Sequence, residues 1–445
     1  MNPRGVLVLV LLALPAAALL ALGPSGRAPV PAGRIVVRYW ANWTGVEGAA
    51  VQRLVDRYNT SEGARDGIWV DYNAMGDVDK RMLIAAAGGA PPDVAGLSDR
   101  FIASYAEQDA LLPLDELAHD ANVALDELKP IWLKLCRYRG TLYALPSTPF
   151  TIALFYNRAA FREAGLDPDQ PPRTPAELNE FALRLTKKSA AGHIERLGFT
   201  VSPAMLGWWH WAWPHFFGAE LWDGAHFALD SPATSAALHW IAEFRAAVDN
   251  ARVLQFEGAA GAIESAQNPF FAGKLARVFQ GPWFANWARS YAPDLDYGVA
   301  PFPSAVPGRQ PVLASTDLLV IPRGCPHPRE AMRFIAFLLR QENIEQLCKD
   351  HGKVSPYRSP LPSFFQDHPN PFVRVFDSLA DSPDAFGAPA MPTVAETWTE
   401  MLYLLENVIR DARPTAQALR AAQARIDQIV DEHRRKTERR RGSAE

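Results

Sequence analysis

IVVRYWANWTGVEGAAVQRLVDRYNTSEGARDGIWVDYNA (residues 35–74) contains one complete strand–helix–strand unit. Ile35–Trp40 is a short apolar run rich in β-branched residues, the pattern of a buried strand. Val51, Leu54, Val55 and Tyr58 follow at i, i+3, i+4 and i+7, the apolar stripe of an amphipathic helix. Ile68, Val70 and Tyr72 then alternate as a second strand. Lys80–Ala87 reads as helix ended by Gly88-Gly89, and Pro91-Pro92-Asp93-Val94 returns the chain to a strand. Regular alternation of strand and helix predicts an α/β fold with a largely parallel sheet and crossover helices.

The same grammar recurs downstream. Thr141–Leu145 and Ile152–Tyr156 read as strands. Thr174-Pro175-Ala176-Glu177 is a helix start, with Thr as cap, Pro in the first turn and Glu closing a capping box. Leu178, Phe181, Ala182 and Leu185 give that helix its buried face. Ser231-Pro232 opens another, with Ala237, Trp240, Ile241, Phe244 and Val248 inward. Asp317–Ile321 is a strand, and Ala331, Phe334, Ile335 and Leu338 stripe the helix after it. Leu419, Ala422, Ile426 and Ile429 mark a last helix, and residues 433–445 form a charged tail, read as a solvated helix end or a disordered segment.

Composition bounds the function. With 445 residues the chain exceeds one ordinary core and fits two domains. It is 48% apolar and 21% charged, hence globular, and its net charge of −4 argues against a nucleic-acid partner. Arg4 precedes an uncharged stretch from Val6 to Gly23, followed by a Pro/Gly/Ala linker to Gly33. This reads as a signal peptide or a single membrane anchor, and no Cys follows it to carry a lipid. Either reading puts the body outside the cytoplasm, on the periplasmic or extracellular side. The three cysteines, Cys136, Cys325 and Cys348, form no CxxC, so no structural metal site is expected; a Cys325–Cys348 bridge is compatible with export.

Catalytic signatures are missing across reaction types: no G-x-S-x-G, no H-E-x-x-H, no P-loop and no G-x-G-x-x-G after a strand. His210 and His215, five apart, do not share a helical face as a metal pair would. No enzyme activity, metal or cofactor is therefore expected. What stands out is aromatic. There are 13 tryptophans, and Trp208-Trp209-His210-Trp211-Ala212-Trp213 fits neither a period of 2 nor one of 3.6, so its rings cannot all face one core. Trp40 and Trp43 flank Asn42 after the first strand, and Trp283 follows Gly281-Pro282. Flat, stiff rings suit a ligand with apolar C–H faces and a polar edge, the shape of a sugar; packing between helices is the alternative use of each ring.

Taken in order, these segments resemble a known family. They include Asp77–Val94 (DVDKRMLIAAAGGAPPDV), Tyr105–Glu116, Gly140–Pro146 (GTLYALP) and Ala153–Pro168 (ALFYNRAAFREAGLDP). Gly281–Trp283, Asp296–Pro303 (DYGVAPFP), Pro328–Leu339, His351–Ser359 (HGKVSPYRS) and Ala390–Val394 follow. The chain is similar to the extracellular solute-binding proteins of carbohydrate ABC importers, which include maltose-binding protein. The resemblance covers nearly all of residues 34–430. It implies a two-lobed periplasmic-binding-protein fold, with lobe one at 34–147 and 314–358, and lobe two at 148–313 and 359–432. It also implies a monomer that delivers a small, sugar-like solute to the transmembrane subunits of a permease. An anchored ligand sensor and a glycan-active hydrolase are the other functions considered.

Site residues follow from the resemblance one at a time. Trp283 in Gly-Pro-Trp matches a ring that stacks on sugar. Asp99 and Arg100 in Asp-Arg-Phe match a pair that hydrogen-bonds ligand. Asn42, with Trp40 and Trp43 beside it, falls in the loop where the family places polar contacts. Trp209, His210 and Trp211 fall in the second-lobe segment that meets the sugar. Phe150 stands where maltose-binding protein has a glutamate, so the cleft is expected to be more apolar and the ligand need not be maltose.

Overall fold

The computed structural model describes residues 30–202, 209–411 and 416–442. The leader expected at Val6–Gly23 lies outside them. Elements are labelled below in chain order, counting only those that position the site.

The opening reading holds. Strand β1 (Ile35–Ala41) pairs in parallel with β2 (Ile68–Ala74) and with β3 (Val94–Ser98). Helix α1 (Gly45–Thr60) crosses between β1 and β2 and buries Val51, Leu54, Val55 and Tyr58. Three strands from later in the chain complete this six-stranded sheet. Strand β4 (Leu145–Thr151) is buried along its whole length despite Pro146 and Pro149. It pairs antiparallel with β8 (Val312–Val320), which also pairs antiparallel with β3. The short β9 (Ala385–Phe386) caps the edge beside β8.

The second lobe is built on a smaller antiparallel sheet. Strand β5 (Ala153–Asn157) lies between β6 (Arg277–Gln280) and β7 (Tyr297–Ala300). The chain thus leaves the first sheet after Thr151 and returns to it at Val312. At that crossing Ile152 donates its amide to the carbonyl of Leu313 at 3.0 Å. Helix α2 (Pro175–Leu185) starts with the expected capping box, in which Thr174 accepts from the Glu177 amide. Helix α3 (Pro232–Val248) buries Ala237, Trp240, Ile241, Phe244 and Val248, as its period predicts. Helix α4 (Phe284–Tyr291) follows β6 directly. Helices α5 (Pro328–Leu338) and α6 (Gln341–Asp350) return to the first lobe.

Two readings that the sequence leaves open resolve in the structure. Cys325 and Cys348 are not bonded: all three cysteines are free thiols. The Cys325 thiol donates to Asp93, whereas the Cys348 thiol donates to the carbonyl of Ser147, so each is held at a different place on the first sheet. The charged tail continues a solvent-exposed helix through residue 442, the first of the two readings given for it. After α7 (Val394–Asp411), helix α8 runs from Ala416 to Gly442. His433 and Thr437, four apart on one face of α8, line a cavity of about 650 Å³ with Glu107 and Tyr138 of the first lobe. Among the described residues no helix is long and apolar enough to cross a membrane.

Candidate functional site

In open parallel sheets, ligands meet the carboxyl ends of the strands. That end of β1 delivers Asn42 and Trp43, and that end of β3 delivers Asp99 and Arg100. Trp40, the penultimate residue of β1, is half-buried, and Asn42 is exposed in the turn that follows.

Trp43 belongs to a cluster drawn from both lobes. Its ring meets His351 edge-on at 4.9 Å. Lys353 reaches between the rings, with Nζ 4.4 Å from the Trp43 centroid, 5.1 Å from Phe150 and 5.8 Å from Trp283. Phe150 and Trp283 meet edge-to-face at 4.8 Å, and Trp209 lies 6.2 Å beyond Trp283. Four rings from four segments therefore share one neighbourhood. Trp283 takes its place from local geometry: it is the N-cap residue of α4, and its ring folds over Gly281. A Cβ on Gly281 would stand 2.2 Å from two carbons of the indole, so only glycine leaves room for it. Asn370 fixes the turn by donating to the Pro282 carbonyl at 2.9 Å.

Polar groups come from β8. Ser315 donates to Oδ1 of Asp99 at 3.0 Å, and Asp317 pairs with Lys353 and accepts from Thr148 at 2.7 Å. The ladder between β4 and β8 shifts between Thr316 and Leu318, and this irregularity brackets Asp317. Asp99 is buried, yet among the described residues its Oδ2 meets no hydrogen-bond partner. Burial pushes its carboxyl up to about 7, with Asp317 adding to the rise while the Ser315 bond and Arg100 oppose it. Asp99 and Arg100 line a cavity of about 470 Å³ that reaches across to His215, Trp222 and Phe386. Burial, reinforced by the Lys353 charge, drives His351 down to about 4, so this ring is neutral beside the ammonium.

The aromatic run divides. Trp208 lies outside the described residues. Trp209 joins the cluster above. Trp211 has no exposed surface and stacks on Trp398 at 4.9 Å, with Phe386 and His215 against its edges. The expectation that Trp211 meets ligand is corrected on this geometry: the ring packs α7 onto the second lobe. His210 donates from Nε2 to the Trp398 carbonyl at 3.0 Å and serves the same junction. Trp213 stacks on Trp240 of α3 at 5.6 Å. Among the described residues no group of three or more His, Cys, Asp or Glu could hold a metal ion.

Lys353, Asp317, Thr148 and Ser315 were not anticipated. Asp317 carried a readable signal, since a carboxylate in the middle of the apolar run Val312–Val320 needs a partner or a task. Lys353 carried none, because nothing local distinguishes it from a surface lysine.

Residues 42–345 match the model of a family described as bacterial extracellular solute-binding protein. The chain is 22% identical over 398 residues to the maltotriose-binding protein of Pyrococcus abyssi, covering 86% of this chain and 78% of that protein. Its fold matches that of CpMnBP1 solved with mannotriose bound, at a TM-score of 0.76 and 27% identity, over 88% of this chain and 100% of the other. It also matches UgpB from Mycobacterium tuberculosis in complex with glycerophosphocholine, at a TM-score of 0.72 and 22% identity, over 90% and 100% of the two chains.

Proposed function

The chain belongs to the bacterial extracellular solute-binding protein family, and from that premise we propose that it captures an uncharged, polyhydroxylated solute, a sugar or short oligosaccharide, for an ABC importer. The family is extracellular, so the body of the chain acts on the outer side of the cytoplasmic membrane. Its partner in this reading is the transmembrane permease, which receives ligand from the closed lobes. Lobe one is assigned residues 34–151 and 312–358, and lobe two 152–311 and 359–432; the crossings move from the expected 147/148 and 313/314 because β4 and β8 pair with each other along their length in the first sheet.

One observation carries the reading. A cluster of aromatic rings and an unsatisfied buried carboxylate oxygen are linked through β8, where Ser315 donates to Asp99 and pairs across the ladder with Phe150. Trp283 and Trp43 offer flat apolar faces, with the buried Trp209 beside Trp283, and Oδ2 of Asp99 offers an acceptor that meets no donor among the described residues. A buried acceptor left unmatched costs about 1–3 kcal/mol, which a ligand hydroxyl recovers on binding. Arg100, Asn42 and Trp40 complete the first-lobe wall. Maltotriose and mannotriose, bound by the similar proteins above, are the compounds to try first.

Reversible capture and chemistry separate in a dialysis experiment. Protein equilibrated with mannotriose or maltotriose should retain one of them, and the sugar released on denaturation should be intact by chromatography. Shortened products would sink the binding reading in favour of a hydrolase.

The site also predicts a pH dependence. Ligand hydroxyls donate to Asp99 in its ionised form, but below about 7 this carboxyl holds its proton. Binding there must expel the proton, so affinity falls as pH drops below 7, by about tenfold per unit, and levels off above it. Calorimetry from pH 5 to 8 should show that slope, and Asp99→Asn should bind weakly with a flat profile. A wild-type affinity constant over this range would remove Asp99 from the contact.

A further inference from the structure

Trp43, Phe150 and Trp283 come from the turn after β1, from β4 and from the cap of α4, and their shared neighbour is a cation. Lys353 Nζ lies 4.4, 5.1 and 5.8 Å from their centroids, all within the range of cation–π attraction. The Lys353 side chain is only 4% exposed. It donates to Asp317 and, at 3.3 Å, to Thr148 Oγ1. Rings on several sides with a carboxylate alongside make an ammonium-binding cage, the arrangement that recognises quaternary ammonium ligands. Here the chain itself supplies the occupant.

We propose that Lys353 is a specificity-determining residue, filling the aromatic cage of Trp43, Phe150 and Trp283 with its own ammonium so that the cleft excludes ligands bearing a cationic group. The inference rests on reading these rings as cleft walls. A ligand with a quaternary ammonium meets an occupied cage and a like charge. An uncharged polyhydroxylated ligand leaves the Lys353–Asp317 pair undisturbed. Once the ammonium is removed, three rings and Asp317 remain as a site for a small organic cation.

Choline is the probe, followed by tryptophan fluorescence and melting temperature. Wild type should respond to choline chloride no more than to sodium chloride at the same ionic strength. Lys353→Ala should bind choline at least about tenfold more tightly than wild type, the size of a desolvated cation–π contact. Lys353→Met keeps the stem and so guards against collapse of the cage; it should melt higher in choline than in sodium chloride. Adding Trp283→Ala to either variant should abolish the gain. Two results overturn the proposal: choline binding by wild type itself, or folded Lys353→Ala and Lys353→Met proteins that do not distinguish choline from sodium. Failure of the transport reading looks different. There, no neutral sugar binds wild type, while the choline gain in the variants persists.

Discussion

Trp283→Ala is expected to weaken ligand binding by about 30-fold to several hundred-fold and to leave both lobes folded. Truncating a tryptophan at the centre of a binding site costs about 2–4 kcal/mol, which converts directly into that range. Trp283 is only partly buried and meets Phe150 edge-to-face and Trp209 at a tilt, so its removal opens a wall rather than emptying a core. A second substitution tests the wall without deleting it. Gly281→Ala places a methyl 2.2 Å from the indole carbons, so the ring must swing out of position. The two variants should lose affinity together in calorimetry while far-ultraviolet circular dichroism stays unchanged. Full affinity in Gly281→Ala would mean that the ring's placement over Gly281 has no bearing on the ligand.

Glu257→Gln should destabilise the protein by about 3–5 kcal/mol, because it strands a buried cation. Arg245, on the inward face of α3, has a fully buried side chain and pairs with both oxygens of Glu257, at 2.9 and 3.1 Å. Arg245 also donates to Asn250 at 2.8 Å and to the Val201 carbonyl at 3.3 Å, and Thr200 donates to Glu257. The pair therefore ties the segment entering the tryptophan run to α3. Denaturant titration of Glu257→Gln should show the loss in midpoint. Replacing both partners by apolar residues, Arg245→Met with Glu257→Leu, should restore most of it, since no charge is then left unpaired. A Glu257→Gln protein as stable as wild type would show that water reaches Arg245.

The fold was legible because its signals are local. A run of β-branched residues, a 3.6-residue stripe and a capping box each declare themselves within a dozen positions, and β1, α1, β2, α2 and α3 stand where those signals put them. Strand β4 was less legible, since Pro146 and Pro149 argue against a strand. The structure accommodates them opposite Leu318 and Thr316, on either side of the irregularity at Asp317. The site was legible only in part. Trp283 and Asp99 were identified through family resemblance, but the pairing of Asp317 with Lys353 joins residues 36 apart, and no periodicity reports it. The tryptophan run gave the opposite difficulty. Its density pointed to ligand, whereas all three described rings are buried: Trp211 stacks on Trp398 and Trp213 on Trp240, and only Trp209 lies beside a cleft ring, Trp283.

A thermal-shift screen tests the central claim most directly, with neutral mono- and oligosaccharides, polyols and sugar phosphates each added to wild type, Trp283→Ala and Asp99→Asn. A ligand at 100 times its Kd adds about 2.7 kcal/mol of stability. The account predicts a raised melting temperature for a neutral carbohydrate with wild type and loss of that rise in both variants. No rise with any of these compounds, or a rise that survives both substitutions, would contradict it.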